Sequence, residues 1–137
     1  MVKPLMHDPA FLAQVSEAAG EQDLHIADDL LDTLTAYKDS CVGMAANMIG
    51  ELKRIICFNN KGELMTMLNP EIIKCADPYD TEESCLSLLG GPRKTKRYRQ
   101  IRVRYLTREL KEREKTFTGF TAQIIQHEVD HINGVLI

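Results

Sequence analysis

No stretch of this 137-residue sequence approaches the run of about 18 apolar residues that spans a membrane, and the N-terminus lacks the apolar core of a secretory signal. There is no basic excess either. Seventeen Lys and Arg against twenty Asp and Glu give a formal charge of −3, which disfavours a dedicated nucleic-acid binder. Cysteine is sparse, four in all at 41, 57, 75 and 85, and no two have CxxC spacing. With no secretory signal, a disulfide scaffold is not expected and a reducing, cytoplasmic setting is. Internal repeats, low-complexity tracts and Gly/Ser-rich linkers are also missing. What is present is 44% hydrophobic and 27% charged residues, enough for a real core. The expectation is one domain over residues 1–137.

The pattern along the chain begins helical. Asp8-Pro9 reads as an N-cap followed by proline at the first helical position, opening a short helix with Phe11, Leu12 and Val15 inward and Gly20 at its end. Residues 23–38 predict a longer helix, with Leu24, Ala27, Leu31 and Leu34 on one face and Asp28, Asp29 and Asp32 on the other. Ile55 to Phe58 is a strand, Asn59 to Gly62 a turn, and Leu64 to Leu68 a second strand. Pro70 should interrupt before a strand at Ile72 to Ala76, and Ile101, Val103 and Tyr105 alternate in another, which turns back near Glu109–Glu112 towards Phe117. A helical period returns from Gly119 to Asn133, with Gly134 as its stop. The fold class is therefore α+β: N-terminal helices, a mostly antiparallel sheet, and a C-terminal helix packed on it.

That last helix carries His127-Glu128-Val129-Asp130-His131. Histidines at i and i+4 share a helical face, so both rings can reach one metal ion, and the adjacent Glu128 can take a proton from an activated water. This is the HExxH pattern. The plainer alternative is two half-buried histidines bonded to carbonyls. The apolar flanks Ile124, Ile125, Val129 and Ile132 place the pair near a core, where unpaired imidazoles are costly. A catalytic site also needs a third protein ligand, and Ile132 to Ile137 offers none, so it must come from upstream. His7 and His25 sit at positions expected to be exposed. Among thiols the candidate is Cys85, flanked by polar residues, whereas Cys57 and Cys75 read as small core hydrophobes.

Three ordered segments make the sequence resemble the peptide deformylases. Cys41-Val42-Gly43-Met44-Ala45-Ala46-Asn47-Met48 follows that family's glycine-rich first motif, Glu83-Ser84-Cys85-Leu86-Ser87 its Glu-Gly-Cys-Leu-Ser, and Gln126 to His131 its Gln-His-Glu-x-Asp-His. The resemblance implies removal of the formyl group from N-formylmethionyl peptides or nascent chains. It implies one divalent metal on Cys85, His127 and His131, natively Fe2+, with Zn2+, Ni2+ or Co2+ possible as isolated. Glu128 would be the general base and acid, and the backbone N–H of Leu86 an oxyanion donor. Val42, Gly43 and Met44 would line the groove in which the peptide adds as a strand. Phe120 and Ile124 would help form the methionine pocket, with core packing as the alternative, and Arg97 would pair with Asp130 behind the ligands.

Departures from the family pattern leave alternatives open. Met48 stands where the family has a glutamine that helps hold the formyl oxygen, and a thioether cannot donate a hydrogen bond. Ser84 replaces a glycine, which stores strain if φ is positive there, and Cys41 replaces another. The competing readings are a diverged deformylase-like protein with weak or altered N-acyl amidase activity, and a non-catalytic descendant that binds metal or peptide. A zinc endopeptidase is disfavoured by the missing downstream ligand. The basic residues Arg93, Lys94, Lys96, Arg97, Arg99, Arg102 and Arg104 invite a ribosome contact; a solvated face, begun in a loop, is the simpler expectation.

Overall fold

The computed structural model describes every residue except Leu89. Its elements run α1 (Pro9–Leu12), α2 (Leu24–Ala36), β1 (Gly43–Ala45), β2 (Ile55–Asn60), β3 (Glu63–Cys85), β4 (Leu88–Leu106), β5 (Glu112–Thr118) and α3 (Gly119–Ile132), with short 3-10 turns at Glu21–Asp23 and Ala46–Ile49. The five strands form one antiparallel sheet in sequence order, so each strand pairs with its chain neighbours. The α+β architecture with α3 on the sheet is as the sequence implies.

The two faces of the sheet explain the apolar run Ile55 to Phe58. Alternate side chains of a strand point to opposite faces. Ile56 and Phe58 pack with Met67, Ile101, Val103, Phe117 and the α3 residues Ala122, Ile125, Val129 and Ile132. Ile55 and Cys57 instead join Met44, Leu68 and the α2 residues Ile26, Ala27, Leu30 and Leu34. The run is continuous because the sheet is covered on both sides in this region. At the N-terminus of α1 the Asp8 side chain accepts from the Ala10 N–H at 3.1 Å, as the capping signal requires.

Several local expectations fail, each for a physical reason. The first helix stops after four residues, and Val15 lies 67% exposed beyond its end. In α2 the buried face runs through Ile26 and Leu30; Leu24 and Leu31 are half-buried at its margin. Pro70 does not end a strand. Asn69 takes a positive φ of 51° and the β3–β4 register shifts between Leu68 and Glu71, so an irregularity absorbs the proline and the strand continues to Cys85. Residues 93–100 are strand rather than loop, paired with 76–83 in a long hairpin. Cys75 lies on this hairpin and is exposed, not core. Its apolar sequence neighbours misled because Lys74 to Pro78 form an exposed stretch of the hairpin.

Phe58 is fully buried and meets Phe117 edge-on, ring centroids 6.2 Å apart. Phe58→Ala is expected to lower unfolding free energy by about 3–5 kcal/mol. Denaturant titration checks this: an unchanged midpoint would show that the α3 face of the sheet is not the principal core.

Candidate metal centre and substrate cavity

Three elements bring the site together. Helix α3 presents His127 and His131 one turn apart, and their Nε2 atoms face each other at 3.0 Å. The hairpin β3–β4 turns at Leu86–Ser87, delivering Cys85 from the end of β3. The ligand atoms of Cys85, His127 and His131 all lie within 4.8 Å of one another. Strand β1 closes the third side. It is an edge strand, paired with β2 on one side and with no strand on the other among the described residues.

Gly43 explains why β1 can come so close. A Cβ built there would stand 2.7 Å from Ile124 Cγ2 and 2.9 Å from Glu128 Oε2. Any side chain would push the carboxylate away from its place. At the far end of α3, Asn47 Nδ2 donates to the His131 carbonyl at 2.9 Å. Gln126 pins the middle of the helix to β4, accepting from the Tyr98 N–H and donating to the Tyr98 carbonyl, both at 2.8 Å.

Behind the histidines lies a buried ionic network. His127 Nδ1–H donates to Glu83 Oε1 at 2.8 Å. Arg97 donates to the same carboxylate through Nε and Nη2, and through Nη1 to Asp130 Oδ2 at 2.6 Å. Gln123 Nε2 adds a fourth donor, 2.9 Å from Glu83 Oε2. Burial pushes the Glu83 carboxyl up, but the bonds from His127, Arg97 and Gln123 outweigh it and bring it down to about 2. Glu83 orients His127 from the rear, so that Nε2 points forward.

Glu128 sits in the opposite situation. It is 3% exposed, and Oε1 has no hydrogen-bond partner among the described residues. Burial raises its pKa to about 7, against the pull of His127. Burial also lowers His131, helped by neighbouring His127, which keeps its ring neutral with a lone pair to offer. For His127 burial works downwards, yet its hydrogen bonds to Cys85 and Glu83 win and raise it. A soft thiol, two imidazoles on one helix face and an orphaned carboxyl beside them fit a transition-metal ion.

The cavity in front has a volume of about 380 Å³. Val42, Gly43, Met48, Cys85, Leu86, Phe120, Ile124, His127 and Glu128 line it, as the sequence suggests. Met44 does not. Alternation along β1 turns its side chain to the other face, where it is fully buried against the α2 core. Phe120 is 63% exposed at the rim, and Ile124 is buried. Met48 Sδ accepts from the Ala45 N–H at 3.4 Å, an acceptor role a thioether can fill. Ser84 has no positive φ, so serine costs no backbone strain there. Cys41 donates its thiol to the Gly43 carbonyl at 2.9 Å, and burial pushes its pKa up to about 12.

Glu83, Gln123, Gln126 and Asn47 were not singled out from sequence. For Glu83 a signal existed: it lies two residues before Cys85 on one strand, hence on the same face. The basic strand largely answers itself. Arg97 is internal, Arg102 pairs with Glu114, and Arg99 stacks on the Tyr79 ring at 4.4 Å.

Residues 3–137 match the family described as polypeptide deformylase. The chain is 53% identical over 137 residues to a peptide deformylase of Clostridium beijerinckii, covering the whole of both chains. Among solved structures, a Met-Ala-Ser-bound class I type b peptide deformylase from Acinetobacter baumannii superposes with a TM-score of 0.86 at 29% identity, covering 99% of this chain and 96% of that one. The peptide deformylase of Thermotoga maritima gives a TM-score of 0.89 at 26% identity, covering 99% and 95%. With the HExxH helix, the cysteine at the hairpin turn and the glycine at the strand edge in one cavity, the chain belongs to the polypeptide deformylase family.

Proposed function

We propose that this chain hydrolyses the N-formyl group of N-formylmethionyl peptides and nascent chains, releasing formate. The observation that carries the reading is the buried Glu128 carboxyl, whose Oε1 has no partner among the described residues, beside three converging ligand atoms. Cys85, His127 and His131 would hold one divalent ion. Fe2+ is the native candidate, and Zn2+, Ni2+ or Co2+ could replace it in isolated protein. When bound, that ion would supply Lewis-acid polarisation of the attacking water and the formyl oxygen.

The chain's own residues do the rest. Glu128 takes a proton from the water as its oxygen adds to the formyl carbon. It returns the proton to the amine nitrogen as the C–N bond breaks, leaving formate and a free α-amino group. The Leu86 backbone N–H, at the turn, is the candidate donor to the oxyanion. The peptide extends along the outer edge of β1 by Val42 and Gly43, with the methionine side chain between Phe120 and Ile124. The Met-Ala-Ser held by the Acinetobacter deformylase supplies a matching probe, formyl-Met-Ala-Ser.

We place this activity in the cytoplasm, where formylated chains are made; among the described residues no helix is long and apolar enough to cross a membrane. No ribosome contact is included, because the basic strand spends Arg97 and Arg102 on internal and cross-strand partners. Full family membership over the whole chain favours the working deformylase over a non-catalytic descendant.

Glu128→Gln should reduce kcat on formyl-Met-Ala-Ser by about 10²–10⁴ while the metal stays bound, measured by formate release and metal content. Undiminished turnover would sink the assignment of Glu128. Met48→Gln adds an amide donor where the thioether has none. It should raise kcat by up to about 10² with KM little changed. If kcat does not rise, Leu86 and the ion already supply the oxyanion stabilisation.

A further inference from the structure

Gln123 lines the substrate cavity and also bonds the network behind the ligands without itself being an ionic member of it. It stands four residues before His127 on α3, on the same helical face. Its amide is held at both ends. Nε2 donates to Glu83 Oε2 at 2.9 Å, and Oε1 accepts from the Tyr79 hydroxyl at 3.2 Å. The Tyr79 ring is in turn covered by the Arg99 guanidinium. Ionised Glu83 can only accept, so it takes the amide NH2 and leaves Oε1 to the Tyr79 hydroxyl, which braces that end.

The need for this second clamp is visible in the Arg97–Glu83 geometry. An arginine and a carboxylate left to themselves favour two parallel bonds, one N–H to each oxygen. Arg97 makes that pair, Nη2 to Oε1 at 2.7 Å and Nε to Oε2 at 3.0 Å, but Nε also lies 3.1 Å from Oε1 and is shared between the two oxygens. Oε1 thus carries Nη2, part of Nε and the His127 Nδ1–H together. Without Gln123, Oε2 keeps only the shared Nε bond. The less firmly held Oε2 then lets the carboxylate tilt about the Arg97 pair and loosen its hold on His127.

We propose that Gln123, braced by Tyr79, is a positioning residue that fixes the Glu83 carboxylate on His127 and so sets the His127 ring towards its ligand position. This rests on the reading that Cys85, His127 and His131 hold the metal. It extends that reading by giving a wall residue of the cavity a role in ligand orientation. Gln123 acts through Glu83 and does not touch reacting atoms.

The test uses Gln123→Met, close in size and a good helix former, and Tyr79→Phe, which removes one hydroxyl. Co2+ affinity of each purified protein is measured by chelator competition, alongside kcat and KM on formyl-Met-Ala-Ser and the proton NMR signal of the His127 Nδ1–H. Direct outer ligand partners are worth about 10–100-fold in metal affinity; one bond further out, Gln123→Met should weaken Co2+ binding about 3–10-fold. Tyr79→Phe should move it in the same direction by less. In both variants kcat should fall with KM unchanged, and the Nδ1–H signal should shift or broaden. If Gln123→Met does not fold, Tyr79→Phe alone decides. Unchanged Co2+ affinity and Nδ1–H signal, or a rise in KM alone, would reduce Gln123 to a pocket wall and overturn the clamp. Wild-type protein that binds no Co2+ would overturn the metal-site reading as well, which separates the two failures.

Discussion

The Glu83 carboxylate is the constraint on which the rest of the site depends. It is buried on the hairpin, and the two groups that need it, His127 and Arg97, come from α3 and β4. A buried ion pair is seldom a large net source of stability, since desolvation offsets the attraction. Removing one partner, however, strands the other and costs about 3–5 kcal/mol. The network therefore acts chiefly on geometry. It welds the strand that supplies Cys85 to the helix that supplies both histidines, through Arg97 to Asp130 on one side and Gln123 on the other. Glu128 is deliberately outside it, and that difference separates a carboxylate used to hold from one left able to exchange a proton.

Much of this was legible in the sequence. The HExxH spacing on an amphipathic segment placed both histidines and Glu128 on one helix, and Gly134 marked its end with a φ of 77°. The run Ile55 to Phe58 identified a central strand. Arg97 and Asp130 could be paired only through the family resemblance, and they lie 2.6 Å apart. These features are local or motif-bound, which is why pattern reading reaches them.

What escaped was set by tertiary context. A ribbon whose buried positions are filled by Arg97 and half-buried Tyr79 and Tyr98 shows no hydrophobic alternation, so the pattern ends the strand at Ile72 to Ala76 too early and makes the start of the basic stretch from Arg93 read as loop. Pro70 looked like a break because the irregularity that accommodates it depends on the partner strand. Met44 looked like groove lining because the motif fixes the backbone and not the face its side chain takes. The roles of Asn47, Gln123 and Gln126 depend on carbonyls and carboxylates far away in sequence, and no spacing rule predicts such pairs.

The long hairpin has a consequence for how the protein fails. Both helices and the inner strands are anchored by the two apolar clusters, whereas the outer ribbon from Lys74 to Asp80 is largely solvent-exposed and buries little apolar surface. Cys85, at the far end of β3, is half-buried against the α2 cluster, and the turn beside it is held by the His7 ring on the Ser87 carbonyl at 3.2 Å. Local opening free energies follow such differences in burial. The exposed stretch from Lys74 to Asp80 thus opens before the helix that carries His127 and His131, and before the Glu83 network that ties Cys85 to it.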